Sequence, residues 1–139
     1  MSKIFKVGLI GCGHISETYF RAQEYFNNIR IVKCADIDMD AAKKCAIHYY
    51  IEAVTVDELL KDKEIEIILN LTIPGAHYQV SKLALENGKH SYAEKPLAVN
   101  FEDGKKLVEL ANKKNLYIGN APDTLSLIHI SEPTRRHLI

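Results

Sequence analysis

The chain contains no tryptophan and only three cysteines, and neither sign of charge is in excess. Cys12, Cys34 and Cys45 are odd in number and never form a C-x-x-C pair, so their pattern predicts neither a disulfide framework nor a zinc or other metal site. This usage is typical of a reducing compartment, and we expect a cytoplasmic protein. Because 18 basic residues balance 18 acidic ones, the charge indicates no nucleic-acid partner and no anionic membrane surface.

Long hydrophobic runs are also missing. No segment approaches the length of a membrane-spanning helix, and the first three residues lead straight into an apolar run without the charged region and hydrophobic stretch of a signal peptide. The sequence therefore predicts no membrane partner. With 47% hydrophobic and 26% charged residues, the composition is that of an ordinary globular domain, for which a small molecule is the default partner.

The prediction of the fold starts from a glycine-rich turn between an apolar run, residues 4–10, and a helix-patterned segment that opens at Ile15. Strand, glycine turn and helix come in the order that a dinucleotide-binding fingerprint requires. Gly11 can adopt the tight turn, and Gly13 lets a phosphate approach the backbone, where the start of the helix supplies free N–H groups. The third position holds Ser16, where glycine or alanine is usual. A purely structural turn, or the first turn of a methyltransferase sheet, gives a similar pattern.

Strand-like runs and helical patterns alternate along the rest of the chain, which predicts an α/β fold of the Rossmann type. We expect a doubly wound parallel sheet in the strand order 3-2-1-4-5-6 with right-handed crossovers. The predicted strands are residues 4–10, 29–35, 51–54, 65–71, 90–93 and 116–119. The helical patterns begin at Ile15, at Ala41, at Thr55, near Ala76 or His77, and at Asn100. The expected inner faces are Ile15, Tyr19, Ala22 and Phe26 in the first helix, Ala76, Val80, Leu83 and Ala84 in the fourth, and Phe101, Gly104, Leu107, Val108 and Ala111 in the fifth.

An acidic residue, Asp36, follows the second predicted strand, a little over twenty residues beyond the glycines. A carboxylate at this position can accept hydrogen bonds from both hydroxyls of an adenosine ribose, and it repels a 2′-phosphate. Ile37 brings no positive charge to reverse that preference, so the pattern favours NAD over NADP. Either Asp36 or Asp38 could instead cap the next helix. We assign the ribose to Asp36 and the cap to Asp38.

Two further motifs follow predicted strands of the sheet. Thr72-Ile73-Pro74-Gly75 ends the fourth strand, and Glu94-Lys95-Pro96 stands directly after the fifth. The carboxyl ends of parallel strands share one edge, where ligands bind in doubly wound folds. A carboxylate and an ammonium at that edge are candidates for binding and catalysis, although most lysines in any protein are surface residues.

Taken together, these motifs resemble the amino-terminal domain of the glucose–fructose oxidoreductase, inositol dehydrogenase and rhizopine-catabolism (Gfo/Idh/MocA) family. The likeness covers residues 3–124. The residues that carry it are Gly11-x-Gly13, Asp36, Thr72-x-Pro74 followed by His77, and Glu94-Lys95-Pro96.

The resemblance implies a role for each matched residue around one NAD molecule. The pyrophosphate would be contacted by Gly11, Cys12, Gly13, His14 and Ile15, and the adenosine ribose by Asp36. The path toward the nicotinamide would be lined by Thr72, Pro74 and His77. The nicotinamide ribose would be flanked by Glu94 and Lys95. Pro96 would follow a cis peptide bond. Lys95 is the catalytic candidate, because an ammonium in a poorly solvated cleft stabilises the negative charge that develops on a substrate oxygen and depresses the pKa of the base.

The sequence changes character at Leu125. Residues 125–135 resemble the in-frame translation of a transposase-type sequencing adapter, so we expect residues 1–124 to be an NAD(P)-binding domain and residues 125–139 a non-native tail. Members of the family carry a second domain that binds the sugar or cyclitol and supplies an aspartate and a histidine for proton transfer. By this comparison, that substrate domain is missing here.

The resemblance implies a dehydrogenase or reductase that transfers a hydride between NAD and a secondary alcohol of a sugar, cyclitol or related polyol. We expect the intact parent to be a homo-oligomer and the 139-residue chain to be inactive. Two alternatives stay open at this point. One is a stand-alone NAD(H)-sensing module, and the other is a methyltransferase in which Asp36 binds the ribose of S-adenosylmethionine.

Overall fold

The computed structural model describes residues 3–121 of the chain. The domain boundary expected at residue 124 and the adapter-like tail 125–139 lie outside these residues. The strands are β1 (Phe5–Ile10), β2 (Ile29–Ala35), β3 (Glu52–Ala53), β4 (Ile67–Asn70), β5 (His90–Ala93) and β6 (Ile118–Asn120). The helices are α1 (Ile15–Ala22), α2 (Met39–Tyr49), α3 (Val56–Lys61), α4 (Pro74–Glu86) and α5 (Phe101–Lys114), with a short 3₁₀ turn, Gln23–Tyr25, after α1. Among the described residues, no helix has both the length and the apolar character that crossing a membrane requires.

The six strands form one parallel sheet in the order β3-β2-β1-β4-β5-β6. This order confirms the predicted Rossmann-type topology. On one side of the sheet, β1, β2 and β3 follow one another outward. The chain then crosses over to β4, which lies beside β1, and β5 and β6 follow outward on the other side. Ligands bind beyond the carboxyl ends of the strands at such a switch point.

The carboxyl ends of the strands are aligned in one row. Ile10 at the end of β1 is paired with Ala35 of β2 on one side and with Asn70 of β4 on the other. Asn70 is in turn paired with Ala93 of β5, and Ala93 with Asn120 of β6. The segments that follow β1, β2, β4 and β5, which carry the predicted site residues, therefore leave the sheet along the same edge.

Helices cover both faces of the sheet, as a parallel sheet requires. Leu9 of β1 packs in one buried cluster with Phe20 of α1 and Ala46 of α2. The next residue, Ile10, points to the opposite face, because side chains alternate along a strand, and it packs in a second cluster with Leu59 of α3 and Ala84 of α4. A third cluster joins α4 and α5 through Leu85, Leu107 and Ala111.

The ends of the helices follow local capping chemistry. The Asp38 carboxylate accepts a hydrogen bond from the Asp40 N–H at 3.0 Å, so Asp38 caps α2 as predicted. Thr55 and Glu58 form a reciprocal capping box at the start of α3. Helix α4 begins at Pro74, two or three residues before the predicted start, because proline at the first helical position lacks only an N–H that would have no partner there.

The predicted inner faces of three helices are partly wrong. In α1 the buried residues are Ser16 and Phe20, one position later than predicted, and Ile15 is 39% exposed. Phe26 is 55% exposed because α1 ends at Ala22 and the 3₁₀ turn changes the register. Helix α4 buries His77, Ser81, Ala84 and Leu85, and α5 buries Leu107 and Ala111 while Phe101 is 79% exposed. The polar side chains of α4 face the sheet because buried polar groups of β4 and β5 hydrogen-bond to that helix.

Candidate functional site

The glycine turn after β1 depends on Gly11. Its φ is +104°, and a Cβ there would lie 2.6 Å from the backbone carbon and oxygen of Leu71. Its N–H donates to the carbonyl oxygen of Ala35 at 2.9 Å. Only glycine combines this left-handed backbone with such a close approach to the chain after β4, so Gly11 holds the turn against the edge of the sheet.

Gly13 and the start of α1 form an open, donor-rich surface. A Cβ at Gly13 would meet no atom within 4 Å. No hydrogen bond from the backbone N–H groups of Gly13, His14 or Ile15 is found within residues 3–121. Ser16 closes the turn from below, because its N–H and hydroxyl both donate to the carbonyl oxygen of Gly13, at 3.1 and 2.6 Å. The free N–H groups and the helix dipole together suit a phosphate.

The Asp36 carboxylate is oriented by two backbone donors. Its Oδ2 accepts the Cys12 N–H at 2.8 Å, and its Oδ1 accepts the Asp38 N–H at 2.9 Å. Each oxygen retains acceptor capacity for a further donor such as a ribose hydroxyl. The neighbouring Ile37 is 99% exposed and offers no cation. The Cys12 N–H, expected to contact pyrophosphate, is thus engaged by Asp36.

On the β4 side, a buried amide fixes the backbone of the site. Asn70 is fully buried, and its side-chain nitrogen donates to the His77 carbonyl oxygen at 3.0 Å and to the Ser81 hydroxyl at 2.9 Å. Its Oδ1 accepts from the N–H and the hydroxyl of Thr72, at 3.2 and 2.6 Å. Sequence analysis missed Asn70, whose only signal was an amide at the end of an otherwise apolar strand.

His77 connects the segments that follow β4 and β5. Its side chain is 1% exposed. One ring nitrogen, Nε2, lies 2.6 Å from the Thr72 carbonyl oxygen, and the other, Nδ1, lies 2.5 Å from the Pro96 carbonyl oxygen. The structure therefore places His77 beneath the predicted nicotinamide path, where it ties two backbone segments of the site together.

The segment after β5 brings Glu94 and Lys95 to the same edge. The Lys95–Pro96 peptide bond is cis. The Tyr19 hydroxyl of α1 lies 3.4 Å from both carboxylate oxygens of Glu94, and burial together with the Glu94 charge raises the pKa of Tyr19. Lys95 is exposed, and no carboxylate within residues 3–121 forms an ion pair with it.

These residues meet the requirements of a bound NAD molecule. The open surface at Gly13 has room and donors for a pyrophosphate, and Asp36 presents oriented acceptors beside it. The contact between Tyr19 and Glu94 shows that α1, which starts at the glycine turn, reaches the segment after β5. Thr72 and Pro74 leave the sheet between these two parts. The chain's own residues therefore line one edge of the sheet, from the Asp36 carboxylate at one end to the Lys95 ammonium at the other.

The three cysteines also come together, which their spacing in the sequence did not indicate. Their sulfur atoms all lie within 4.8 Å of one another. Cys34 and Cys45 are 0% and 8% exposed, and Cys12 is half-buried. The neighbouring thiols of Cys12 and Cys34 lower the pKa of Cys45. The three cysteines come from β2, α2 and the glycine turn. They meet only in the tertiary structure, so their spacing in the sequence could not predict it.

Curated relatives are oxidoreductases. The chain is 28% identical over 123 residues to an inositol 2-dehydrogenase/D-chiro-inositol 3-dehydrogenase of Lacticaseibacillus casei, covering 84% of this chain and 36% of the relative. It is 31% identical over 114 residues to an inositol 2-dehydrogenase of Salmonella typhimurium, covering 79% and 34%. A trans-1,2-dihydrobenzene-1,2-diol dehydrogenase of Xenopus laevis is 32% identical over 120 residues, with 84% and 36% covered. The chain spans about a third of the length of these relatives.

Solved structures share the fold. The WlbA dehydrogenase of Chromobacterium violaceum, solved with NADH and UDP-GlcNAcA, matches with a TM-score of 0.81 at 26% identity, covering 87% of this chain and 36% of that one. The dehydrogenase MviM of Clostridium difficile matches with a TM-score of 0.78 at 28% identity, covering 86% and 39%. A family model described as oxidoreductase family, NAD-binding Rossmann fold, matches residues 5–121. The chain therefore belongs to the Gfo/Idh/MocA oxidoreductase family and contains its NAD-binding Rossmann domain.

Proposed function

We propose that the chain is the cofactor-binding part of an NAD-dependent dehydrogenase or reductase that acts on a secondary alcohol of a sugar, cyclitol or related polyol. The observation that carries the proposal is the aligned row of strand ends, which brings the glycine turn, Asp36 and Lys95 to one edge of the sheet. The names of two relatives, an inositol dehydrogenase and a dihydrodiol dehydrogenase, support a substrate with hydroxyls on a ring.

Bound NAD supplies or accepts the hydride at its nicotinamide ring. The N–H groups at the start of α1 bind its pyrophosphate, and Asp36 accepts the adenosine ribose hydroxyls. Thr72, Pro74 and the backbone held by His77 line the way to the nicotinamide end. Glu94 accepts a hydrogen bond from a hydroxyl of the nicotinamide ribose. The hydrogen bond that Glu94 accepts from Tyr19 keeps the carboxylate turned toward α1.

Asp36 also accounts for the proposed preference for NAD over NADP. Both of its oxygens are occupied on one side by backbone donors, so the carboxylate cannot easily rotate away from a 2′-substituent. A 2′-phosphate would bring a second negative group to within hydrogen-bonding distance of it. The exposed Ile37 supplies no compensating cation.

Lys95 flanks the nicotinamide ribose together with Glu94, and its ammonium also acts on the substrate. Negative charge develops on the substrate oxygen as its carbon exchanges a hydride and its hydroxyl loses a proton. The Lys95 ammonium, with which no carboxylate of the described residues forms an ion pair, is available to stabilise that charge, and the stabilisation grows as water is excluded. The proton acceptor itself would come from the second domain.

We extend the proposal to the rest of the parent protein. Residues 1–124 form the NAD(P)-binding domain and residues 125–139 are a non-native tail, and the greater length of the relatives, of which this chain covers 34–36%, supports a parent with a further substrate domain. The parent is a cytoplasmic homo-oligomer whose partner is a small polyol or sugar. Nothing in the fold or in the relatives favours the alternative of a stand-alone NAD(H)-sensing module.

Calorimetry on the purified chain tests the cofactor assignment. We expect NADH to bind at one site, NADPH to bind more weakly, and S-adenosylmethionine not to bind. Asp36→Asn should weaken NADH binding about tenfold or more, because hydrogen bonds to a charged group contribute about 1.5–3 kcal/mol each. Asp38→Asn is the matched control, since asparagine caps a helix as well as aspartate does. Equal losses in the two variants would contradict the role of Asp36.

The substrate class is tested on the parent protein. Genomic DNA that reads past codon 124 into a second domain allows the full protein to be assayed with NAD and a panel of inositols, sugars and acyclic polyols. We expect turnover of at least one cyclic polyol and a loss of kcat in Lys95→Met. An active parent that reduces only substrates without hydroxyl groups would refute the substrate class and leave the cofactor assignment intact.

A further inference from the structure

The side chains of all three cysteines of the chain meet directly beneath the glycine turn. Cys12 belongs to the turn itself, Cys34 to β2 and Cys45 to α2. These positions lie on three separate elements, so the grouping arises from the tertiary fold and not from one local motif. Neither the NAD site nor the proposed hydride transfer uses any of the three sulfur atoms.

The spacing of the sulfur atoms suits a single small cation. All three lie within 4.8 Å of one another. A metal bound to three thiolates at about 2.3 Å places those sulfurs about 4.0 Å apart. The cluster reaches that spacing if each sulfur moves by about half an ångström, which side-chain rotation can supply. A disulfide would use two sulfurs at about 2.0 Å and leave the third without a role.

The surroundings are also those of a binding site. Cys34 and Cys45 belong to the buried cluster that contains Ala42, and Cys12 packs against it, so the inner side is apolar and buried. The half-buried Cys12 forms the outer side and provides a way in from solvent. Among the residues that the structure describes, the thiols have only weak polar partners, since Cys34 donates to the Ala42 carbonyl at 3.4 Å and Cys12 to the Ala35 carbonyl at 3.6 Å.

We propose that Cys12, Cys34 and Cys45 bind one soft, thiolate-preferring cation of the Zn²⁺, Cd²⁺ or Cu⁺ class at a three-sulfur site under the glycine turn. Sulfur ligands select such cations over Mg²⁺ or Ca²⁺. Binding breaks three S–H bonds, forms three S–metal bonds and releases the protons to solvent, with no change of oxidation state. This assignment departs from the expectation, based on spacing, that the chain holds no metal.

A titration of the purified chain with Cd²⁺, under a phosphine reductant, tests the site. We expect saturation at one equivalent, an ultraviolet band from thiolate-to-cadmium charge transfer with the intensity of three thiolates, and release of protons. Cys12→Ser and Cys45→Ser should each weaken binding at least about tenfold, because loss of even an outer partner of a ligand costs that much. Circular dichroism confirms that each variant is folded.

His48→Gln is the matched control. His48 is an exposed residue of α2 close in sequence to Cys45, and exposed histidines are common adventitious ligands. Its removal should leave the cadmium band and the affinity unchanged. In the unmodified chain, one equivalent of Cd²⁺ should also protect Cys12 from iodoacetamide, as read by mass spectrometry, which requires no variant to fold.

Three results would overturn the proposal. The first is the absence of a saturable charge-transfer band in the reduced chain. The second is a band of full intensity in a folded Cys12→Ser or Cys45→Ser variant. The third is loss of binding in His48→Gln, which would assign the cation to histidine.

Discussion

Charged side chains at the two edges of the sheet differ in whether they form ion pairs. At the amino edge the charges are paired within the fold, as Lys3 with Glu66 at 2.5 Å and Lys33 with Asp62 at 2.5 Å. Lys89 is 4% exposed there, and its ammonium donates to the carbonyl oxygens of Asp62 and Ile65 at 2.6 and 2.8 Å. A surface pocket also lies at this edge, and three of its charged groups, Lys61, Glu66 and Lys89, already have partners in the fold.

At the carboxyl edge, charges are oriented but not neutralised. Asp36 is held by backbone N–H groups and Glu94 by the Tyr19 hydroxyl, and within residues 3–121 neither they nor Lys95 form an ion pair. Paired charges contribute to folding, whereas oriented, unpaired charges are available to a ligand. The comparison therefore predicts that substitutions at the amino edge change stability and that charge substitutions at the carboxyl edge change binding.

The largest expected effect comes from Gly11→Ala, because Gly11 contributes both to the stability of the fold and to the shape of the binding edge. The added Cβ would lie 2.6 Å from backbone atoms of Leu71 at a φ of +104°, so we expect the free energy of unfolding to fall by about 3 kcal/mol or more. Gly13→Ala is the matched control, because its Cβ would meet no atom within 4 Å. Urea denaturation should show the control unchanged within about 0.5 kcal/mol, while calorimetry should show weaker NADH binding. Equal stability of the two variants would contradict the described turn.

The next effect concerns the buried amide that supports the carboxyl edge. Asn70→Leu keeps the branched skeleton of four side-chain heavy atoms but leaves the partners on Thr72, His77 and Ser81 without the amide, which should cost about 2–3 kcal/mol. NADH binding should also weaken, since the segment after β4 loses its anchor. Ser91→Ala, which removes one 3.2 Å hydrogen bond to Ser81, should cost about 1 kcal/mol and leave NADH binding unchanged. Urea denaturation and calorimetry of both variants measure the difference.

At the amino edge, Asp62→Asn should destabilise the chain by about 1–2 kcal/mol near neutral pH without affecting NADH binding. The Lys33 ammonium lowers the pKa of Asp62 below its ordinary value of 3.8, so the folded state holds the proton less tightly than the unfolded state. This stabilisation is present above pH 4 and is lost as the pH falls through the lowered pKa. Urea denaturation from pH 7 to pH 2 should therefore show the stability difference between the two proteins shrinking as the pH falls below 4. A difference that stays constant over this whole range would assign the effect to packing.

Sequence reasoning reached the parts of the site that depend on local chemistry. Gly11, Asp36 and the Asp38 cap lie at strand and helix ends, where backbone geometry limits the choice of residue, and the strand order follows from the alternation of elements. It missed the contacts of Asn70, and it treated Tyr19 only as part of an apolar face. These contacts, like the meeting of the three cysteines, join residues far apart in sequence, as Tyr19 and Glu94 are 75 positions apart. Periodicity along one element carries no information about such partners.

The smallest effect on stability, and the clearest contrast between the edges, is expected for Lys95→Met. Because the exposed Lys95 has no ionic partner among the described residues, its loss should change the free energy of unfolding by less than about 0.5 kcal/mol. Lys33→Met removes an ammonium from the amino edge and should lower stability by about 1 kcal/mol. In the full parent protein the order should reverse, with kcat reduced about a hundredfold or more by Lys95→Met and unchanged by Lys33→Met. Denaturation and steady-state kinetics of the two variants test this prediction. If Lys95 served only solubility, Lys95→Met would leave kcat unchanged, as Lys33→Met does.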